Sequence, residues 1–299
     1  MKKPSSICLL FLIQLALLFN AQAQNNLPKL LLRTDDIGMN HSVNIAVKEL
    51  AETGIPFSAS IMFACPWYQE AVDILKKHPQ VAVGIHLTLT AEWKHYRWGP
   101  VTGRTAVPSL VDSLGYFLPS VDAFLKSNYK LADIEAELTA QIERAIGTGL
   151  KITYMDPHMG IAMATPEIRT ITERLAKKYN LGLSTYYEED YKSMWGVPVQ
   201  TKKKEFMEYV NNISGDDFHV VELHIAKSSP EMDALVDMNS SLMASDSGKP
   251  MASQHRQTEL NMLLAPDFRN LNKKKFILVT YADVVKAKGI EGMKTAEED

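Results

Sequence analysis

Short apolar runs alternate along the chain with segments whose apolar residues recur every three or four positions. The first pattern is typical of buried strands and the second of amphipathic helices. The strand-like runs are residues 29–33, 58–63, 81–87, 152–155, 182–185, 219–223 and 275–278. Helical patterns between them cover residues 43–53, 67–77, 131–148 and 166–179. Thr165 and Pro166 suit the N-cap and first helical position of the last of these.

This alternation predicts βα units and therefore a parallel sheet with helices around it. No residue block repeats at a fixed period, and no linker divides the chain. Residues 24–299 have the length of one (β/α) barrel. We therefore expect a single α/β domain, a TIM-like (β/α) barrel of parallel strands with outer helices.

The stretch 92–129 is the least regular part of the chain and is rich in aromatic residues, glycine and proline. We interpret it as an insert into the barrel, able to cover a site.

The first residues have the composition of a secretory signal. Lys2 and Lys3 precede an apolar run at 7–19, and small residues then stand at Ala21 and Ala23. This order predicts a signal peptide over residues 1–23, cleaved near Ala23, and a periplasmic or secreted protein. A membrane anchor is the alternative, but the run is shorter than the ~20 apolar residues of a spanning helix. We expect no membrane span after signal removal.

Composition and charge narrow the class of protein. Hydrophobic residues make up 46% of the chain, enough for a sizeable core, and charged residues make up an ordinary 22%. A formal net charge of -3 does not indicate the basic surface of a nucleic-acid-binding protein. The basic run 202–204 is interpreted as a solvated loop or helix start. If Cys8 leaves with the signal, Cys65 remains alone and no intramolecular disulfide forms.

Polar residues follow three of the strand-like runs directly. They lie in TDDIG at 34–38, GIHLT at 84–88 and DPH at 156–158. Because chemistry collects at the carboxyl ends of parallel strands, one carboxylate and two imidazoles can meet there around a divalent metal. Adjacent strand residues point to opposite sides, so one of Asp35 and Asp36 can bind metal while the other lies nearby, facing a water.

Each of these residues also has an ordinary structural interpretation. An isolated Asp36 is more often a cap for the helix that begins after Asn40. A lone His86 or His158 is more often a core histidine satisfied by the backbone. Three such residues at successive strand ends favour a functional site.

Two histidines and one carboxylate leave coordination positions open, as in catalytic metal sites. A bound metal lowers the pKa of its water to about 7 and polarises a carbonyl. Asp35 can then act as general base. His224, which follows the run 219–223, can supply a proton to the leaving amine, with Glu222 as its orienter. Imidazole ligands favour Zn²⁺ or a similar transition ion, with Mg²⁺ possible.

The same residues resemble the YdjC-like carbohydrate deacetylases, a family that includes the chitooligosaccharide deacetylases. The resemblance rests on TDDIG at 34–38 with Asn44 downstream, GIHLTL at 84–89, and DPH at 156–158 followed by Pro166. It extends from about residue 30 to residue 224. It implies an irregular (β/α) barrel and hydrolysis of an N-acetyl group from an amino sugar.

The resemblance also assigns roles to particular residues. It implies one divalent metal ion held by Asp36, His86 and His158, and it matches Asp35 to the catalytic aspartate. The chain departs from the family at Pro157, where a serine is usual, at Met159 and Gly160, where a further histidine is usual, and at Ile225, where proline is usual.

These departures leave the metal set intact but change the expected sugar contacts. We expect Trp93, Arg97 and Trp98 of the insert to bind the substrate, since aromatic faces and a guanidinium suit a sugar ring and an acidic group. The alternative is an ordinary loop packed by its own aromatic residues.

The sequence thus predicts a metal-dependent hydrolase that removes an N-acetyl group from an amino sugar or oligosaccharide. A hydrolase of another amide or acyl bond and a non-catalytic carbohydrate-binding barrel are the alternatives. Asp35 favours an enzyme, because a binding module needs no second carboxylate beside the metal. Adjacent carboxylates do not easily flank a glycosidic bond at the ~5 to 9.5 Å spacing of a glycosidase. A homodimer is possible.

Overall fold

The computed structural model describes residues 27–215, 217–240, 251–271 and 274–294. The predicted signal peptide, residues 1–23, lies outside the described residues. Within those ranges no helix has the length and apolar character needed to cross a membrane.

One sheet of parallel strands forms the centre of the fold. In the described chain the strands pair in the order β5-β4-β3-β2-β1-β7-β6, and β8 also pairs with β1. They are β1 Lys29–Ile37, β2 Phe57–Ile61, β3 Val81–Leu87, β4 Ile152–Pro157, β5 Gly182–Leu183, β6 Asp190–Ser193, β7 Phe218–Leu223 and β8 Ile277–Val279. Strand β7 pairs with one edge of β1. Two strands share the other edge of β1: β8 pairs with residues 29–31 of β1, and β2 pairs with β1 from Arg33 onward.

The sheet is strongly curled. Nη1 of Arg33, on β1, donates to Oγ of Ser184, just beyond β5, at 2.6 Å, although three strands separate β1 from β5 in the pairing order. The order begins at β5 and ends at β6, so the described strands form a half-barrel rather than a closed ring. The predicted single α/β domain of parallel strands and outer helices is confirmed.

Helices surround this half-barrel, and several begin at a side-chain cap. They are α1 His41–Glu52, α2 Tyr68–Leu75, α3 Val121–Leu125, α4 Leu131–Gly147, α5 Pro166–Tyr179, α6 Val199–Asn212, α7 Pro230–Asp233, α8 Ala252–Leu264, α9 Pro266–Leu271 and α10 Tyr281–Lys288. Asn40, rather than Asp36, caps α1, with Oδ1 accepting from the N–H of Val43 at 3.0 Å. Asp36 is therefore free of the capping role that its sequence position allowed.

The structure differs from the sequence prediction in several places. Helices α3, α6, α7, α8, α9 and α10 were not among the predicted helical patterns. Strand β6 was not predicted, because its sequence DYKS is polar and it lies at the edge of the sheet. The interpretation of the basic run as solvated is wrong for Lys202. Its side chain is buried, and Nζ pairs with the carboxylate of Glu259 on α8.

The insert at 92–129 is anchored to the segment 234–240 through main-chain hydrogen bonds. The N–H of Lys94 donates to the carbonyl of Val236 at 2.9 Å, and the N–H of Met238 donates to that of Glu92 at 3.1 Å. Glu92 of the insert and Asp237, Asn239 and Ser240 of the segment line the same cavity at the carboxyl ends of the strands.

Candidate active site

A bulge in β1 brings two adjacent carboxylates into the same cavity. The pairing of β1 with β2 shifts register between Thr34 and Ile37, and Asp36 has a left-handed backbone with φ 62°. Both Asp35 and Asp36 line the cavity. The expectation that they point to opposite sides is wrong, because the bulge interrupts the alternation of a regular strand.

The turn after the bulge is held by Asn44, a residue of the quoted motif. Its Oδ1 accepts from the N–H of Gly38 at 2.9 Å, and its Nδ2 donates to the carbonyl of Trp67 at 3.0 Å. Gly38 has φ 85°, and a Cβ there would lie 2.9 Å from Cα of Tyr68. The glycine is therefore required by both the backbone conformation and the close approach of α2.

The cavity has a volume of about 680 Å³ and lies at the carboxyl ends of the strands. This size is in the range of small-molecule sites, about 300 to 1,000 Å³. Most of the residues that line it are polar or charged, and the lining also includes Pro157, Met159 and Gly160, three of the four positions at which the chain departs from the family pattern.

Asp36, His86 and His158 form a buried cluster at the base of the cavity. Oδ1 of Asp36 lies 3.5 Å from Nε2 of His86 and 3.3 Å from Nδ1 of His158, and the two nitrogens are 3.3 Å apart. Among the described residues this oxygen has no hydrogen-bond partner. Three converging donors with one orphaned carboxylate oxygen fit a divalent metal that accepts nitrogen and oxygen ligands.

The other ring nitrogen of each histidine contacts a second carboxylate. Oδ2 of Asp156 lies 2.6 Å from Nδ1 of His86, and Oε2 of Glu92 lies 3.0 Å from Nε2 of His158. His86 and Asp156 are partners in the β3–β4 register, which explains the first contact. Such carboxylates fix the tautomer of a metal-binding histidine and leave the other nitrogen free to coordinate.

The charges around these groups shift their pKa values. Burial by itself lowers the pKa of His158, but Glu92 and Asp36 raise it to about 9. Burial by itself raises the pKa of Asp36, but Arg256 and the two histidines hold it well below its ordinary value. Asp36 is therefore ionised, as a metal ligand must be.

The guanidinium of Arg33 makes a bidentate contact with the carboxylate of Asp35. Nε donates to Oδ1 of Asp35 at 2.8 Å and Nη2 to Oδ2 at 2.7 Å. Nη2 also donates to Oε2 of Glu222 at 3.1 Å, because Arg33 and Glu222 are partners in the β1–β7 register. Burial raises the pKa of Asp35, and Arg33 opposes that rise.

His224 lies beside both aspartates. Its Nε2 is 4.0 Å from Oδ2 of Asp36, and donor atoms of His224, Asp35 and Glu222 all lie within 4.8 Å of one another. The indole of Trp195 packs against the imidazole at 4.7 Å between ring centroids. Burial is the main reason that the pKa of His224 lies well below its ordinary value.

Glu222 does not orient His224 by a hydrogen bond, contrary to the prediction. Oε1 of Glu222 is 4.0 Å from Nδ1 of His224, and this nitrogen has no hydrogen-bond partner in the described chain. Glu222 instead accepts from the hydroxyls of Ser193, at 2.7 Å, and Tyr191. The register of β7 with β1 and β6 directs this carboxylate toward Arg33 and the two hydroxyls.

The structure does not bring Trp93, Arg97 and Trp98 to the cavity lining. Trp93 is fully buried, and Trp98 is buried with Nε1 donating to the carbonyl of Thr90 at 2.8 Å. Arg97 pairs with Asp112 of the same insert at 2.9 Å. These side chains pack within and beneath the insert, as in the alternative interpretation of this loop.

Several residues of the site were not identified from the sequence. Glu92, Arg256, Trp195 and Asp237 are separated from the motifs along the chain and carry no local signal. Arg33 did carry one, since a charged residue inside an apolar strand must find a buried partner.

The fold and the cluster together define a class of protein, an α/β half-barrel with one aspartate and two histidines grouped at the carboxyl ends of its strands as potential metal ligands. A sequence profile of the family described as YdjC-like protein matches residues 29–274. The chain belongs to this YdjC-like family.

Individual relatives agree with this assignment. A carbohydrate deacetylase of Brevibacillus brevis is 28% identical over 264 residues, covering 86% of this chain and 99% of the relative. One of Geobacillus stearothermophilus is 33% identical over 153 residues, covering 50% of this chain and 57% of the relative. The crystal structure of an Enterococcus faecalis V583 protein, proposed to act in cellobiose-phosphate cleavage, superposes with TM-score 0.67 at 20% identity. It covers 86% of this chain and 98% of that one, and shows the fold alone.

Proposed function

We propose that this protein is a metal-dependent carbohydrate deacetylase that hydrolyses the N-acetyl group of an amino sugar or oligosaccharide. The observation that carries the proposal is the orphaned Oδ1 of Asp36, faced by two imidazole nitrogens and accompanied by Asp35 in one cavity. The names of the relatives from Brevibacillus brevis and Geobacillus stearothermophilus support it.

In this proposal Asp36, His86 and His158 hold one divalent metal. The two imidazoles favour Zn²⁺ or a similar transition ion, although Mg²⁺ is possible. When bound, the metal supplies a Lewis acid that polarises the amide carbonyl and acidifies water. Asp156 and Glu92 keep the two imidazoles in the coordinating orientation.

Asp35 and His224 move the protons of the reaction. Asp35 accepts a proton from the attacking water, and its carboxylate is held for this by the guanidinium of Arg33. His224 hands a proton to the nitrogen of the leaving amine as the C–N bond breaks. The donor atoms of Asp35 and His224 lie within 4.8 Å of each other, a separation that one water molecule bridges, so the proton taken from the attacking water can pass from one to the other. One water is consumed, and the products are acetate and the protonated amine.

The cavity walls suit a sugar. Hydroxyl, amide and carboxylate groups of Thr185, Tyr191, Ser193, Asp237 and Asn239 line the cavity together with the indole of Trp195. Polar groups of this kind bind sugar hydroxyls, and an aromatic face packs on the C–H face of a pyranose ring. We propose these residues, rather than the insert's own aromatic residues, as the substrate contacts.

The proposed function includes export. Lys2, Lys3, the apolar run 7–19 and the small residues Ala21 and Ala23 support a signal peptide over residues 1–23 and a periplasmic or secreted deacetylase domain over residues 24–299. N-terminal sequencing of the protein recovered from the producing cells tests this. An N-terminus at residue 24 supports export, and an intact residue 1 contradicts cleavage.

Acetate release tests the function itself. The purified chain is incubated with N-acetylglucosamine oligomers of several lengths, with and without a chelator, and Zn²⁺ is then restored. We expect release that stops with the chelator and returns with the metal. No release from any oligomer, with metal shown to be bound by elemental analysis, contradicts the proposal and favours another acyl substrate or a binding role.

A further inference from the structure

Helix α8 carries two buried charged side chains, one in contact with Asp36 and the other with His224. Nη2 of Arg256 donates to Oδ2 of Asp36 at 2.5 Å, and the carboxylate of Glu259 accepts from the backbone N–H of His224. Arg256 and Glu259 are each 1% exposed. Residues three apart on a helix share a face, so one face of α8 contacts both the metal-binding aspartate and the proposed acid.

Two indole rings hold the guanidinium of Arg256 in place. Its central carbon lies 5.7 Å from the ring centroid of Trp93 and 5.8 Å from that of Trp195. Both distances are within the ~6 Å range of cation–π contacts. Trp93 comes from the insert, whereas Trp195 follows β6. In the described chain, Nε and Nη1 of Arg256 have no hydrogen-bond partner, so its position is set by these rings and by Asp36.

The two oxygens of the Asp36 carboxylate face different partners. Oδ2 is engaged by Arg256, while Oδ1 faces Nε2 of His86 at 3.5 Å and Nδ1 of His158 at 3.3 Å. A carboxylate that binds a guanidinium with one oxygen has the other free for a metal. The rotation of the carboxylate that two-oxygen coordination requires would break the bond to Arg256.

We propose that Arg256 is a positioning residue that fixes Asp36 as a one-oxygen metal ligand, and that the insert acts on the metal centre through Trp93 packed on Arg256. The inference rests on the proposed function, since it requires the cluster to bind metal. It gives Trp93 a role that differs from the substrate contact expected from the sequence.

Zinc affinity of the metal-free chain, measured by titration calorimetry, tests the inference without any assay of turnover. Loss of an outer partner of a metal ligand weakens metal binding by about 10- to 100-fold, and we expect this for Arg256→Met. Arg256→Lys keeps the charge but loses the planar fork, so its affinity should lie between those of Arg256→Met and the wild type.

Arg144→Met is the matched control. Arg144 likewise combines a hydrogen bond, to the carbonyl of Phe63 at 2.9 Å, with a cation–π contact, to Tyr68 at 5.4 Å, and it does not line the cavity. Its loss should leave zinc affinity unchanged.

The outcomes separate the inference from the proposed function. If the wild type binds no zinc, the proposed metal centre is wrong. If the wild type and Arg256→Met bind zinc equally, Arg256 does not position Asp36 and the inference alone is overturned. If circular dichroism shows that Arg256→Met is unfolded, Arg256→Lys decides, and wild-type affinity in that folded variant overturns the inference.

Discussion

Oε2 of Glu92 lies 3.0 Å from Nε2 of His158, and this contact joins the first residue of the insert to the candidate metal centre. Glu92 is buried, and its carbonyl is fixed by the N–H of Met238 at 3.1 Å. The imidazole is thereby held with Nδ1 3.3 Å from Oδ1 of Asp36. The insert therefore contacts the candidate site through Glu92, behind a proposed metal ligand.

Replacing Glu92 by glutamine tests this contact. The amide keeps the size of the side chain but loses the negative charge that makes His158 a more basic ligand. We expect zinc affinity to fall by about 10-fold or more in titration calorimetry. Asp190→Asn is the control, since Asp190 lies 2.8 Å from Nδ1 of His219 in a pair that does not line the cavity. Equal affinities in all three proteins would contradict the role given to Glu92.

Loss of His158 should remove the metal. His158→Ala takes one of three ligands from the cluster, and elemental analysis of the purified variant should show strongly reduced metal. His219→Ala is a suitable control, because His219 is also buried beside a carboxylate, that of Asp190 at 2.8 Å, but does not line the cavity. Full metal occupancy in His158→Ala would rule out this residue as a ligand.

The buried pair of Lys202 and Glu259 should dominate the stability of the contact between α6 and α8. Both side chains are 1% exposed. Lys202→Met leaves the carboxylate of Glu259 buried without its cation, and breaking such a pair costs about 3 to 5 kcal/mol. Urea unfolding measures the loss. Lys203→Met, which removes an exposed pair with Asp267, should cost about 1 kcal/mol or less. Similar losses in both variants would contradict the buried pairing.

The raised pKa of Glu222 predicts how the free energy of unfolding depends on pH. Burial, with the nearby charge of Asp35, raises the pKa of Glu222 to about 8 from an ordinary 4.5. Between these values the folded protein keeps a proton that the unfolded chain has released. The stabilising contribution is therefore full below pH 4.5 and is lost as pH rises through about 8.

Glu222→Gln cannot titrate, so its free energy of unfolding should fall less steeply than that of the wild type between pH 5 and 8. Denaturant unfolding across this range measures the difference. Glu49→Gln, at a half-buried glutamate paired with Lys227, should follow the wild type. A slope in Glu222→Gln equal to the wild-type slope would show that Glu222 does not hold this proton.

The sequence predicted the core strands and several helices closely. Strand β3 and helix α5 have the predicted bounds, because β3 is a continuous apolar run and α5 has a clear helical periodicity behind the cap at Thr165. β6 was missed because an edge strand with the polar sequence DYKS shows no such periodicity. The burial of Lys202 was missed because its partner, Glu259, lies in a distant helix.

The candidate ligands were predictable, but most of their partners were not. Asp36, His86 and His158 each follow an apolar run, and parallel strands bring such ends together. Arg256 lies 220 positions from Asp36 along the chain, so their contact depends on how the half-barrel packs. Trp93 and Arg97 were expected in the cavity because residue type alone does not tell whether an aromatic or cationic side chain faces a ligand or the interior.

The most direct test of the account is the variant Asp35→Asn, assayed for both metal content and acetate release. We expect metal content equal to the wild type and turnover reduced by about 10²- to 10⁴-fold, the usual contribution of a general base. Asp133→Asn, at an aspartate that accepts from the hydroxyl of Ser109 outside the cavity, should keep both properties. Wild-type acetate release by metal-loaded Asp35→Asn would contradict Asp35 as the base and the proposed course of the reaction.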